Sequence, residues 1–154
     1  MNSLAEEFGA SEGFMCLGFP SNQFGHQTNN KGKEILSQLK HIRPGNGYEP
    51  KFPIFARADV NGANELPLFT YLKSALPIPE GAEGEQLMGN PQFIIWSPVK
   101  RNDISWNFEK FLINKDGLPV KRYSRRYPTI DIKKRHRSAI ESINQGLILL
   151  MLFK

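Results

Sequence analysis

FMCLGFPSNQFGHQ, residues 14–27, is an apolar run that stops at Pro20 and opens into a hydroxyl, amides and a glycine. Residues 14–19 carry no charge and no polar alternation, the pattern of a strand buried on both faces of a sheet. Proline cannot donate to a sheet ladder, so the chain leaves the strand there. In open α/β sheets ligands favour the region outside the carboxyl ends of strands, and Ser21, Asn22 and Gln23 lie just past such an end. The plainer reading is that Ser21 and Asn22 cap a turn, and composition alone favours it.

The neighbouring segments build a sheet domain around this strand. Residues 1–9 read as the last turns of a helix, with Leu4, Ala5 and Phe8 on one face and Gly9 as a stop. Residues 31–41 form an amphipathic helix whose inner face is Ile35, Leu36, Leu39 and Ile42, ended by Pro44 and Gly45. A short strand is expected within 52–56. A second helix begins at Pro67, with Leu68, Phe69, Leu72, Ala75 and Leu76 facing inward, and ends at Pro77. The polar loop over 77–91 is long enough to be functional or an assembly element. Residues 93–96, Phe-Ile-Ile-Trp, read as another buried strand. Two more, 108–113 and 119–123, are joined across Asp116-Gly117, a strong hairpin signal. The segment from Lys133 looks helical, and its pattern after Gly146 is unclear. Strands alternating with helices, plus a hairpin, indicate one α/β or α+β domain over residues 1–154.

Composition narrows the function classes. The 154 residues are 40% hydrophobic and 23% charged, which suits a globular chain that buries one core. Lys and Arg exceed Asp and Glu by 20 to 15; a net charge of +5 fits small anionic ligands at least as well as nucleic acid. The single cysteine, Cys16, excludes an intrachain disulfide scaffold and makes a reducing compartment the default. The start of the chain lacks the basic and apolar stretches of a signal peptide. The apolar tail at 147–153 is far shorter than the roughly 20 residues that span a bilayer, so it reads as a core-packing end or an atypical terminus.

The common enzyme signatures, GxxxxGK[ST], GxGxxG, GxSxG and HExxH, are absent. Three scattered histidines and one cysteine give too few convergent ligands for zinc, so no metal is expected. Cys16 lies inside the apolar strand, where burial raises a thiol pKa and leaves it inert. Two further polar groupings remain. Trp106-Asn107 stands at a strand entrance, as a polar rim or as packing whose indole N–H is satisfied locally. The basic run Lys121-Arg122-Tyr123-Ser124-Arg125-Arg126-Tyr127 is by default a solvated face, although guanidinium groups beside a cleft clamp carboxylates. Its interleaved aromatics also admit nucleic acid, but no RNP-type or helix-turn-helix pattern supports that partner.

Taken together these groupings resemble the glutathione peroxidase family. The matching stretches are LGFPSNQFGHQ (17–27), EIL-LK-IRPG-GYEP (34–50), VNG (60–62), WSPVKRNDISWNFEKFL (96–112) and the RYSRRYPTIDI run (122–132). The resemblance runs over about residues 1–132, and the tail, 133–154, is divergent. It implies a thioredoxin-like fold with a central mixed sheet flanked by helices. The implied activity is reduction of hydrogen peroxide and organic hydroperoxides with glutathione as co-substrate, with no bound cofactor. The long 44–91 region looks like the tetrameric, cytosolic type, which implies a homotetramer in the cytoplasm, with neither nucleic acid nor membrane as partner.

In the family's motifs an amide, an indole and a second amide surround the reacting selenium or sulfur; those positions are Gln23, Trp106 and Asn107. N–H donors of this kind stabilise a selenolate or thiolate without adding charge. The resemblance also implies that Arg43, Arg125 and Arg126 dock the carboxylates of glutathione. The family's peroxidatic segment, resembling NVAS-L-U/C-G-T, precedes a Met-Asn-x-Leu stretch, and this chain starts at Met1-Asn2-Ser3-Leu4. Ser21 stands where FPCNQ carries cysteine. The chain is therefore expected to be N-terminally truncated at a selenocysteine codon and inactive as written. The alternative is a non-catalytic scaffold or partner-binding protein that keeps the fold.

Overall fold

The computed structural model describes residues 1–9, 13–81, 90–132 and 147–153. The elements run α1 (Asn2–Glu7), β1 (Phe14–Pro20), α2 (Lys33–His41), α3 (Pro67–Ala75), a 3-10 turn (Pro91–Phe93), β2 (Lys110–Asn114), β3 (Pro119–Tyr123) and β4 (Leu147–Phe153). The four strands make one mixed sheet in the order β1-β4-β2-β3.

The last strand in sequence thus lies inside the sheet. β4 runs parallel to β1, from Phe14 opposite Leu147 to Pro20 opposite Phe153. On its other edge it is antiparallel to β2, from Lys110 opposite Met151 to Asn114 opposite Leu147. Among the described residues β1 does not pair with the β2–β3 hairpin, and β4 lies between them. The helix expected from Lys133 falls outside the described residues. The segment after Gly146, which had no clear periodicity, is strand.

The core lies on both faces of this sheet. One cluster gathers Phe24, Phe69, Leu72, Phe111 and Leu150; the other gathers Leu4, Phe14, Cys16, Leu112, Tyr123 and Leu149. Adjacent Leu149 and Leu150 serve opposite faces, as the twofold repeat of a strand requires. The expected core-packing role of the tail is thereby met. Each such buried side chain stabilises the fold by about 1.5–3 kcal/mol.

Several expectations are corrected by the packing. Residues 93–96 form no strand: Pro91 opens a 3-10 turn, the Asn90 side chain accepts from the Gln92 N–H at 3.0 Å, and Phe93 and Ile95 stand half-exposed. Proline at a first helical position and a capping amide outweigh the apolar run. Residues 52–56 contribute only an isolated bridge between Gly18 and Ile54. α2 buries Ile35 and Leu39 against Tyr48 and Ile54, leaving Leu36 and Ile42 exposed. On α3, Ala75 faces outward and Lys73 is buried in its stead. β1 exposes Met15, so only part of it is covered on both faces.

Candidate active site

Two loops converge at one end of the sheet, the first following β1 and the second preceding β2. In the first, Asn22 does the capping. Its side-chain oxygen accepts from the Thr28 N–H at 2.9 Å, and its amide donates to Asn29 at 3.0 Å. Gly25, at φ +66°, makes the turn, and a Cβ there would lie 3.4 Å from the Trp106 ring, in ordinary contact.

Gln23 is buried, and both ends of its amide are bonded. Its Oε1 accepts from the N–H groups of Val60 and Asn61 at 2.9 and 3.0 Å, and its Nε2 donates to the Asn61 carbonyl at 2.9 Å. Asn61 passes the connection on. Its Nδ2 donates to the Ile104 carbonyl and its Oδ1 accepts from the Ile104 N–H, both at 2.9 Å. The Gln23 loop is thereby tied, through Asn61, to the start of the second loop.

The second loop is anchored by charge. Lys73 donates to Asp103 at 2.9 Å, to Asn61 at 3.1 Å and to Glu65. The other Asp103 oxygen accepts from the Trp96 indole N–H at 2.9 Å and from the Lys100 N–H at 2.8 Å. Burial raises the Glu65 pKa, but hydrogen bonds from Lys73, Lys100 and Thr70 outweigh it and hold the carboxyl below its usual range. Further along, Glu109 accepts from the Ser105 N–H and hydroxyl, both at 2.7 Å, and pairs with the buried Arg122 at 2.8 Å. Between them Phe108 adopts φ +69°, a strained conformation for a bulky residue and one that marks many functional sites.

The contacts between the loops gather the expected residues. Trp106 packs on Phe24 with ring centroids 5.8 Å apart and on Phe93 at 6.1 Å. Asn107 is buried; its Nδ2 donates to Gln27 Oε1 at 3.1 Å, across 80 residues of chain, and its Oδ1 has no partner among the described residues. Gln23, Trp106 and Asn107 thus lie on two loops locked together by Asn61, Phe24 and Gln27. Asn61, Lys73 and Asp103 were not singled out from the sequence. A lysine beside the apolar stripe Leu68-Phe69-Leu72 was the available signal.

The other expected residues lie elsewhere. Arg43 is exposed in the turn after α2, and Arg125 and Arg126 occupy the turn after β3. That turn is held from below. Lys110, itself buried, donates to the carbonyls of Ser124 at 3.0 Å and Tyr127 at 2.5 Å, and burial pulls its pKa down to about 8. Cys16 points into the core from β1, and burial pushes its thiol up to about 11, so it supplies no thiolate at neutral pH. Among the described residues no cluster of three His, Cys, Asp or Glu forms a metal site, and no helix is long and apolar enough to cross a membrane.

The glutathione peroxidase family profile matches residues 1–73. Over 133 residues, 86% of this chain, the sequence is 57% identical to glutathione peroxidase 1 of Rattus norvegicus and 56% identical to that of Mus musculus. This chain is a glutathione peroxidase homologue. Among solved structures it is similar to T. cruzi GPX1, with a TM-score of 0.53 and 25% identity over 91% of this chain and 68% of the other. The homologue therefore has the thioredoxin-like α/β fold of these neighbours. It spans 65% of the length of the rat and mouse relatives.

Proposed function

We propose that the chain carries the donor set and co-substrate dock of a glutathione-dependent hydroperoxide reductase. The observation that carries this reading is the junction of the two loops, where Asn107 bonds Gln27 and Trp106 packs on Phe24. There, Gln23, Trp106 and Asn107 offer N–H groups to a selenolate or thiolate. Such donors lower the pKa of the anion and assist proton transfer to the leaving oxygen of the peroxide. Arg125 and Arg126, with Arg43, take the carboxylates of glutathione through planar, bidentate guanidinium contacts. The full-length form is a cytosolic homotetramer.

On this reading the described residues supply no nucleophile to the donor set. Cys16 lies in the core with its pKa raised to about 11, and Ser21 is buried beside Gln23. The chain alone is therefore inactive, and the reacting selenium or sulfur belongs to a segment encoded upstream. Reading the genomic DNA in frame before Met1 tests this. The expected finding is a selenocysteine or cysteine codon flanked by NVASL-like and GT-like coding stretches; their absence would overturn it.

A further inference from the structure

We propose that Lys110 is a positioning residue for the Arg125–Arg126 turn: its ammonium pins both ends of that turn, and the pinned turn is what presents the two guanidinium groups to the carboxylates of glutathione. The proposal rests on the reading of that turn as the co-substrate dock. Its own support is the hydrogen bonding around Ser124 and Tyr127.

The Tyr127 N–H donates to the Ser124 carbonyl at 3.2 Å, which places Arg125 and Arg126 at the two central positions of a four-residue turn. Lys110 stands at the start of β2, opposite Tyr123, the last residue of β3. From there its Nζ donates to the Ser124 carbonyl at 3.0 Å and to the Tyr127 carbonyl at 2.5 Å. One ammonium therefore holds the first and the last residue of the turn. Ser124 is secured a second time, because its N–H donates to the Glu80 carbonyl at 2.9 Å and its hydroxyl to the Gly81 carbonyl at 2.8 Å. Tyr127 packs its ring on Tyr123, with centroids 4.6 Å apart. The Tyr127 end is thus the one expected to loosen when the ammonium is lost.

A charge-assisted hydrogen bond is roughly twice as strong as a neutral one, so the charge on Lys110 matters to the turn. Lys110 is buried, and burial brings its pKa down to about 8, outweighing the upward pull of Glu109. The charged side chains beside it are paired elsewhere, Glu109 with Arg122 at 2.8 Å and Lys121 with Glu80 at 2.9 Å. Cys16, on the same face of the sheet, stays neutral with its thiol pushed up to about 11. Tyr123, Tyr127 and Asp131 complete the titratable groups on β3 and around the turn; α1 adds Glu6, Glu7 and the amino terminus, and β4 carries none. Below about 8 the ammonium is present and the turn is pinned; above it the neutral amine donates weakly and the turn loosens. Guanidinium groups stay charged across this range, so a loss of affinity there reports the turn.

The test uses the full chain, reduced glutathione and Lys110→Met, which removes a buried charge, keeps an apolar stem and is expected to fold. Titration calorimetry gives the glutathione affinity of both chains at matched pH, so that the amine and thiol of glutathione itself cancel. The parent is expected to bind about three- to tenfold more tightly than Lys110→Met at about pH 7, and the two to converge by about pH 9.5. Limited trypsin digestion reads the turn without ligand, since cleavage after Arg125 or Arg126 follows the population of the opened turn. At a single pH, cleavage there is expected to be about three- to tenfold faster in Lys110→Met. Equal cleavage of the two chains overturns the proposal, as does glutathione affinity that is the same in both at every pH. Glutathione that binds neither chain, with cleavage still raised in Lys110→Met, overturns instead the reading of the turn as the dock. Should the variant fail to fold, the backbone amide shifts of Arg126 and Tyr127 in the parent are expected to titrate together with a midpoint near 8. No such transition overturns the proposal.

Discussion

Gln23 and Asn107 are both buried amides on neighbouring loops, and they distribute their hydrogen bonds differently. Gln23 bonds three backbone groups of Val60 and Asn61 and so acts as a clamp between distant segments. Among the described residues the Asn107 side chain bonds the exposed Gln27 and keeps an unpartnered oxygen. A buried polar atom without a partner costs about 1–3 kcal/mol, so it persists where something outweighs that cost. The difference separates a residue that ties distant segments together from one whose side chain keeps hydrogen-bonding capacity unused.

The comparison breaks most visibly at Gln23. Replacing it with leucine strands two N–H groups and a carbonyl in the core, and Gln23→Leu is expected to lose about 3 kcal/mol in urea denaturation. Equal stability of variant and parent would show that the clamp is dispensable. The two buried lysines repeat the contrast, since Lys73 meets two carboxylates and Lys110 meets only carbonyls. The Lys110 pKa is about 8 in the folded chain against 10.5 unfolded, so between those values the unfolded state binds more protons. Stability therefore rises with pH across about 8 to 10.5 as the buried charge is lost, and Lys110→Met is expected to flatten that rise in pH-dependent melting.

Smaller effects sharpen the same contrast. Asn107→Ala is expected to cost only about 1 kcal/mol, because one partly exposed hydrogen bond is lost while an unmet oxygen is relieved. Gln27→Ala, at the exposed end of that bond, is expected to shift stability by no more than about 0.5 kcal/mol. A loss at Asn107 as large as that at Gln23 would make both amides structural.

Local signals carried much of this fold. The short uncharged run of β1, Pro67 at the start of α3 and Asp116-Gly117 in the hairpin each act within a few residues, and each predicted its element. β4 was illegible because an apolar run buried on both faces has no period of its own, and its partners are about 37 and 130 residues away. Residues 93–96 were misread for the same reason: an apolar run becomes a strand only if a neighbour accepts it, and the cap at Asn90 intervened. In the site, Gln23 looked like part of a turn until its resemblance to a family motif linked it to Trp106 and Asn107. Asn61, Lys73 and Asp103 stayed hidden because their role lies in tertiary hydrogen bonds that no spacing encodes.

The proposed separation of a donor set from its nucleophile is tested most directly by glutathione-dependent turnover of hydrogen peroxide. The assay compares the purified, folded chain with its Cys16→Ser variant. Neither is expected to exceed the uncatalysed rate, since a core thiol with a pKa near 11 is not ionised at neutral pH. Appreciable turnover by the parent chain that disappears in Cys16→Ser would contradict it.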